Sequence, residues 1–340
     1  MKKRLRIFKS PWHVAHDFAL MTALKDVADF DLLINYTRRW EERARPLPEN
    51  VQWVTHFEAG LYDLAILNVD QQCSSPNLNK AILPKHMKQA IEEIDPSCPI
   101  IFINHATPVY PEFYPDANKT TNYISEVLKK EILDIVKPYP MVVNSFQAAD
   151  DWGYGTPIIH GMDPDFFKPQ AIKEPRVCAF VTEAGIGDKY YNRSFLIAVM
   201  EELKEKYGVK LHWINTAGNF CAKDSKEFFE FVGSSAVFFN PTFASPMPRS
   251  RSEAMLMECA IVTTPQHGGS DYIKDGYNGF LVPHNNVEYA AKIINHLVTD
   301  GYELAIEMGK NARKTAINEF NMDRYREDWM KFLRDNKIIE

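Results

Sequence analysis

Between residues 249 and 253 the chain reads RSRSE, which sets two guanidiniums, two hydroxyls and a carboxylate in succession. Ser250 and Glu253 have the spacing of a capping box, which predicts a helix start here, with Glu253 opening a short apolar helix over residues 254–259. Amide N–H groups at a helix start lack partners within the helix and favour an anion. Arg249 and Arg251 flank that start, and a guanidinium can bind two phosphate oxygens at once. The helix start at Ser250–Ser252 is therefore suited to holding a diphosphate. Lys189 and Arg193, in EAGIGDKYYNRSF, are two more cations available to the same anion. Downstream of the helix a β-branched strand over 261–264 leads to Gly268 and Gly269, where the missing Cβ lets the backbone approach a ligand or close a tight turn.

Other chemistry lies in the first half. The run IFINHATP places His105 at the C-terminal end of a strand, the edge where α/β folds bind ligands, although a structural histidine bonded to a neighbouring loop fits the same place. His13 and His16, in SPWHVAHDF, have the i, i+3 spacing of metal ligands, but no third ligand is near and zinc needs more donors. His16 is instead a candidate contact for a bound ligand. Two stretches have the D-x-D form, Asp29-Phe30-Asp31 and Asp163-Pro164-Asp165. The first runs into a strand and the second falls in a linker, so no metal is expected.

These side chains need a scaffold of alternating strands and helices. Short β-rich runs alternate with helical periodicity along the chain, the pattern of parallel sheets with crossover helices. Strands are predicted over 5–9, 31–35, 51–56, 63–69, 99–105, 141–144 and 157–160, and a second set over 177–182, 210–215, 236–240, 261–264 and 279–282. Helices are predicted over 192–207, 251–260, 287–299, 302–320 and 322–335. The stretch GMDPDFFKPQAIK, over 161–173, has the glycine, prolines and charges of an interdomain linker.

At 340 residues and 45% hydrophobic, the chain exceeds one average domain and suits two of roughly 160 residues each. A net charge of −6 argues against nucleic acid as a partner. The five cysteines form no C-x-x-C pair, as expected of reduced thiols in a cytoplasmic protein. The basic lead MKKRLRIF has too short an apolar stretch for a signal, and no run of 18 apolar residues occurs, so no membrane span is expected. Lys2 to Arg6 is read as a solvated approach to the first strand, with a membrane-surface patch as the alternative, and Tyr36 to Pro46 as a solvated loop or a contact for an anionic ligand or lipid headgroup.

The run EAMLMECAIVTTPQHGGSDYIKDGYNGFLVP, from Glu253 to Pro283, closely resembles the donor-binding block of retaining glycosyltransferases of the GT-B fold, family 4 (glycosyl transferases group 1). A second stretch, VVNSFQAADDWGYGTPIIHGMDPDFFKP, is similar to the end of that family's first domain at Asn144, Ser145, Gly161, Asp163, Phe167 and Pro169. EFNMDRYREDWMKFL looks like the family's closing segment. The resemblance implies an α/β protein of two Rossmann-like, doubly wound domains facing across a cleft. Residues 1–164 would bind the acceptor, 165–321 the nucleotide sugar, and the helix of 322–340 would cross back to the first domain. It also implies a retaining, metal-independent hexosyl transfer that needs no cofactor. The co-substrate would be a nucleoside diphosphate sugar, of UDP or GDP, and the acceptor the hydroxyl of a glycan, a lipid-linked sugar or a small molecule. Membrane contact would be peripheral at most.

By the same resemblance, Glu253 matches the second Glu of the E-x7-E motif and would hold the ribose hydroxyls, His105 would stand beside the transferred sugar, and His16 would line the acceptor pocket. The chain departs from the pattern twice. Ser245 occupies the place of the first Glu, and Thr182-Glu183 that of the usual G-R, whose arginine binds diphosphate. Arg249, Arg251, Lys189 and Arg193 are the candidates to replace it. Two rival readings stay open: a GT-B-fold epimerase of nucleotide sugars, and a degenerate protein that binds nucleotide sugar without turnover.

Overall fold

The apolar runs become the strands of two parallel sheets in the computed structural model, which describes residues 4–34, 40, 45–69, 83–108, 126–181, 191–215, 217–243, 245, 247–265 and 272–340. Two compact units result. One holds the described residues up to Gly161 together with Met322–Glu340, and the other holds Met162–Asn321.

The first unit runs β1 (Leu5–Lys9), α1 (Val14–Ala23), β2 (Ala28–Leu33), β3 (Val51–Val54), β4 (Leu64–Val69), α2 (Leu83–Glu92), β5 (Ile100–Asn104), α3 (Glu126–Val136), β6 (Met141–Val143), α4 (Phe146–Trp152) and β7 (Thr156–Pro157). Its strands pair in the order β3-β2-β1-β4-β5-β6-β7, all parallel. Successive residues of a strand face opposite sides of the sheet, and the strands feed two cores accordingly. Ile7, Leu64, Ile66, Ile101 and Ile103 enter one core, whereas Phe8, Ala65, Leu67, Ile100 and Phe102 enter the other. The chain reverses its winding between β1 and β4, so their C-terminal ends flank a topological switch point.

The second unit runs β8 (Glu174–Ala179), α5 (Arg193–Tyr207), β9 (Leu211–Trp213), α6 (Ser225–Ser234), β10 (Ser235–Asn240), α7 (Arg249–Leu256), β11 (Ala260–Thr263), β12 (Gly279–Leu281), α8 (Val287–Val298) and α9 (Tyr302–Glu319). Its sheet, also parallel, has the order β12-β11-β10-β8-β9, with the switch point between β8 and β10. The last helix, α10 (Met322–Asp335), belongs to the first unit. Tyr325, Trp329, Phe332 and Leu333 recur at helical spacing and are buried in the same core as Ile7 and Leu20. Gly161 makes this approach possible: a Cβ there would lie 2.7 Å from the Tyr325 Cβ and 3.0 Å from the Met322 Cα.

Two expectations change in detail. The helix predicted from 251 starts at Arg249, with Pro248 at its N-cap and no side-chain capping bond, so Ser250 and Glu253 form no capping box. Proline fixes its own backbone angle and is followed here by the first helical turn, which leaves Ser250 inside the helix. Glu253 accordingly lies in the middle of a buried helix and does not open one. The basic lead also has partners: Arg4 pairs with Asp29 at 2.7 Å and Arg6 with Asp31 at 2.8 Å, which accounts structurally for the D-x-D of β2. In the other D-x-D, Asp163 Oδ1 accepts the Asp165 amide in a local turn at 2.8 Å. Most of the Tyr36–Pro46 tract lies outside the described residues. Among them, no helix is long and apolar enough to cross a membrane.

Trp329 is 1% exposed and stacks edge-on with Phe332 at a centroid separation of 5.8 Å. Trp329→Ala is expected to destabilise the first unit by about 3–5 kcal/mol through lost burial and the cavity left behind. Chemical denaturation followed by circular dichroism would check it, and a loss below about 1 kcal/mol would contradict the packing described.

Candidate active-site residues

In the first unit, polar residues collect where the strands end. Lys9 closes β1, Asn68 lies one residue from the end of β4, His105 follows β5, and Asn144 follows β6. The Lys9 ammonium, fully buried, pairs with Asp17 of α1 at 2.8 Å and donates to Asn68 Oδ1 at 3.3 Å. His105 is buried, and its two ring nitrogens lie 3.2 Å from Asn68 Oδ1 and 3.1 Å from Asn144 Nδ2. The second carboxylate oxygen of Asp17 accepts the Trp12 amide at 2.9 Å, tying the loop before α1 to the same group. Asn104 Oδ1 accepts the Ala106 amide and Trp152 Nε1 donates to the Ala106 carbonyl, fixing the chain that leaves β5.

Three further imidazoles surround this network. His13, at the N-cap of α1, stands 5.0 Å from the His105 ring; His16, in the first turn, stands 4.9 Å from His105 and 5.7 Å from His160, which follows β7. His16, His105, Asn144, Tyr325 and Trp329 line one small cavity. The structure thus brings together His16 and His105 from the predicted set. Lys9, Asn68 and His160 were not predicted; the available signal is that each sits at or just beyond a strand's C-terminal end. Among the described residues, no three His, Cys, Asp or Glu side chains are arranged to hold a metal ion.

In the second unit the corresponding edge carries α7. Arg249 and Glu253, both buried, lie one turn apart with 3.7 Å between Nε and Oε1. Arg251 and Ser252 on the same helix are buried, Ser250 is half-buried, and Ser245 is half-buried in the segment before it. Arg193 is the first residue of α5, preceded by Asn192 in the left-handed region. Lys189, Gly268 and Gly269 lie outside the described residues, as do Thr182 and Glu183. The C-terminal end of α7 is anchored by cations, as suits the negative end of a helix. Arg313 donates to the Leu256 carbonyl and to those of Phe167 and Pro164, while Lys173 donates to the Met257 and Ser235 carbonyls.

Threonine hydroxyls tie the strand ends beside it. Thr263 donates to the Asn240 carbonyl at 2.8 Å and Thr264 to the Thr242 carbonyl at 2.6 Å. His284 Nε2 donates to the Pro265 carbonyl at 2.9 Å, and its ring packs 5.0 Å from that of Phe243. Burial pushes the His284 imidazolium toward the neutral form, opposed by the bond to Pro265.

Against known structures, this architecture matches Thermosynechococcus elongatus sucrose-phosphate synthase at a TM-score of 0.68, 14% identical over 98% of this chain and 99% of that one. Anabaena HepE, in complex with UDP and glucose, matches at 0.65, with 14% identity over 98% of this chain and 100% of that one. The fold is GT-B. Within its second unit, residues 198–315 match the model of Glycosyl transferases group 1, a span that includes α7 and the strands on either side of it. Two curated proteins align over shorter stretches. The poly(ribitol-phosphate) alpha-N-acetylglucosaminyltransferase of Staphylococcus aureus is 33% identical over 82 residues, 24% of this chain and 16% of that protein. An uncharacterized glycosyltransferase of Methanocaldococcus jannaschii is 27% identical over 142 residues, 41% of this chain and 33% of that protein. The chain thus spans a third or less of the length of the curated relatives it matches.

The lowered proton affinity of His284 has a consequence for the GT-B second unit. The unfolded chain takes up a proton near the ordinary histidine value of about 6.5, whereas the folded unit resists it. Stability is therefore present above that value and falls as pH drops through and below it. The limiting slope is about 1.4 kcal/mol per pH unit for each such group. His212, shifted the same way by burial and then by Lys210 and Arg176, adds to the effect. His284→Gln, whose amide can still donate to Pro265, is expected to flatten the loss between pH 7 and pH 5 in urea denaturation; an unchanged slope would contradict it.

Proposed function

We propose that this protein is a glycosyltransferase that moves a sugar from a nucleoside diphosphate sugar to a hydroxyl acceptor, with retention and without a metal. The observation that carries the reading is the α7 start. Arg249, Arg251 and Glu253 stand there within the span matched by the Glycosyl transferases group 1 model. Two arginines at a helix N-terminus suit a diphosphate, which needs paired donors and positive charge. A carboxylate one turn along suits the vicinal hydroxyls of a ribose, each of which can donate to one of its oxygens. The UDP bound by HepE supports UDP as the nucleotide, and the poly(ribitol-phosphate) N-acetylglucosaminyltransferase supports a hydroxyl of a polyol phosphate as the acceptor.

The chemistry asked of the protein is chiefly electrostatic. Cleavage of the sugar–phosphate bond puts negative charge on the departing diphosphate, where α7 supplies amides and guanidiniums, and positive charge on the sugar. In the front-face course proposed, the acceptor hydroxyl attacks from the side the diphosphate leaves, and the diphosphate itself takes the acceptor proton. No protein nucleophile is required, and His16 and His105 serve the acceptor and the transferred sugar.

One observation favours a second reading. Ser245 puts a hydroxyl where the resemblance expects a carboxylate, so a protein that binds nucleotide sugar without turning it over has specific support. Thermal-shift measurements against UDP, GDP, ADP, CDP and dTDP and their sugars, with and without EDTA, separate these readings when followed by a donor-hydrolysis assay. Stabilisation by one nucleotide family, insensitive to EDTA and accompanied by hydrolysis, is the expected result. Binding without hydrolysis or transfer favours the non-catalytic protein, and no stabilisation by any nucleotide ends both readings. Glu253→Ala is expected to lower donor affinity at least about tenfold, or about 1.4 kcal/mol. Because Glu253 is buried beside Arg249, circular dichroism must show the variant folded, and unchanged affinity in a folded variant would refute the ribose assignment.

A further inference from the structure

The neighbours of His105 determine which of its nitrogens carries hydrogen. Asn68 Nδ2 donates to the Ser10 carbonyl at 2.7 Å, and Asn68 Oδ1 accepts from the Lys9 ammonium at 3.3 Å. A carbonyl can only accept and an ammonium can only donate, so both neighbours fix the same orientation of the amide. His105 Nε2, 3.2 Å from that Oδ1, must then carry a hydrogen and donate it. On the other side of the ring, Nδ1 faces Asn144 Nδ2 at 3.1 Å and accepts. An imidazole with hydrogen on Nε2 and a lone pair on Nδ1 is neutral.

The surroundings oppose a second proton. The Lys9 ammonium lies behind Asn68, its charge answered by Asp17 at 2.8 Å. The rings of His13 and His16 stand within 5.0 Å and 4.9 Å of His105, and His160 lies beyond His16. From α10 the Tyr325 side chain lines the same cavity. A charge added to His105 would be repelled by any of these three imidazoles that itself carries a proton.

We propose that Lys9, Asn68 and Asn144 are positioning residues that hold His105 as the neutral Nε2–H tautomer with both ring nitrogens engaged. His105 thus serves the transfer as an uncharged ring and not as a base or nucleophile. The role rests on the transferase reading above. When the sugar–phosphate bond breaks, the sugar gains positive charge, and an imidazolium in contact with it would raise the barrier that a neutral ring leaves unchanged. No bond forms or breaks at His105, and no proton leaves it.

The test uses the full chain labelled with 15N-histidine, with His105 assigned by comparison with His105→Gln. Across pH 6 to 8, wild-type His105 is expected to show a protonated Nε2 and a bare Nδ1. Hydrogen on Nδ1, or a doubly protonated ring at pH 7, overturns the proposal. Asn144→Asp replaces the donor opposite Nδ1 with a negatively charged acceptor, which stabilises the imidazolium and is expected to raise its titration midpoint by about two to three pH units, to about 7.5. In turnover, kcat of this variant at pH 6.5 is expected to fall about tenfold, in line with that population of imidazolium, while the donor KM stays near the wild-type value and kcat recovers above pH 8.5. An equal loss of kcat at every pH, with the wild-type tautomer retained, would mean a merely structural role and overturns the proposal. If Asn144→Asp does not fold, Asn68→Asp puts a negative charge beside Nε2, which also favours the imidazolium, and is read the same way. Absence of any turnover in the wild type would end the transferase reading and the catalytic role with it, while the spectrum alone still decides the tautomer.

Discussion

A parallel sheet covered on both faces has nowhere to put polar side chains except at its strand ends, and both units of this protein are organised by that constraint. In β1, Ile7 and Phe8 enter opposite cores, and the next residue is Lys9. In β4 and β5 the apolar runs give way to Asn68 and to Asn104 and His105, and in β6 Val143 gives way to Asn144. In the second unit Phe239 is followed by Asn240, and Val262 by Thr263 and Thr264. The hydrogen-bonded groups therefore line the C-terminal edge of each sheet because the strands stop being apolar there at nearly the same height. The adjacent switch points are where the covering chain parts.

Polarity held this deep has a cost that stability alone does not explain. Removing the Lys9 ammonium and the Asp17 carboxylate from water costs several kcal/mol per ion, and their attraction returns that only when the remaining donors and acceptors are also met. Here they are: Lys9 reaches Asn68, and Asp17 accepts the Trp12 amide as well. Apolar residues of similar volume would fold as well or better. What the pair adds is orientation. It fixes the amide of Asn68 and ties the loop before α1 to the end of β1, so that His13 and His16 stand over His105. Arg249 and Glu253 repeat the arrangement in the second unit, with a looser 3.7 Å separation and Arg251 buried on the same helix.

The scaffold was legible because its signals are local. A run such as Leu64 to Leu67 is apolar throughout, as a strand buried on both faces must be, and the periodicity of residues 322–335 marks an amphipathic helix whose buried residues are Tyr325, Trp329, Phe332 and Leu333. The start of α7 was misplaced because a capping-box spacing at Ser250 and Glu253 competed with Pro248, and proline before a helical turn is the stronger constraint on the backbone. In the first unit, His105 was legible from its place at a strand end, but its partners were not. Asn68 and Asn144 precede and follow it by 37 and 39 residues, and only the sheet order brings the ends of β4, β5 and β6 side by side. His160 was hidden for the same reason, beyond a strand of two residues.

The departure at Ser245 acts in opposite senses on the two parts of a nucleotide sugar. Charge at α7 sums Arg249, Arg251 and Glu253 to a net positive, and the helix N-terminus adds to it. A serine at 245 removes a carboxylate that would have offset this, so the field at the helix start is more favourable to a diphosphate than the family pattern would make it. The same exchange removes an acceptor for sugar hydroxyls, and a neutral hydroxyl makes a weaker bond than a carboxylate. On the transferase reading, the substitution therefore weighs on the sugar and not on the nucleotide. Nucleotide affinity should survive it, and discrimination among donor sugars should weaken, because the exchange leaves the charge that meets the diphosphate in place and takes away only a charged acceptor for sugar hydroxyls.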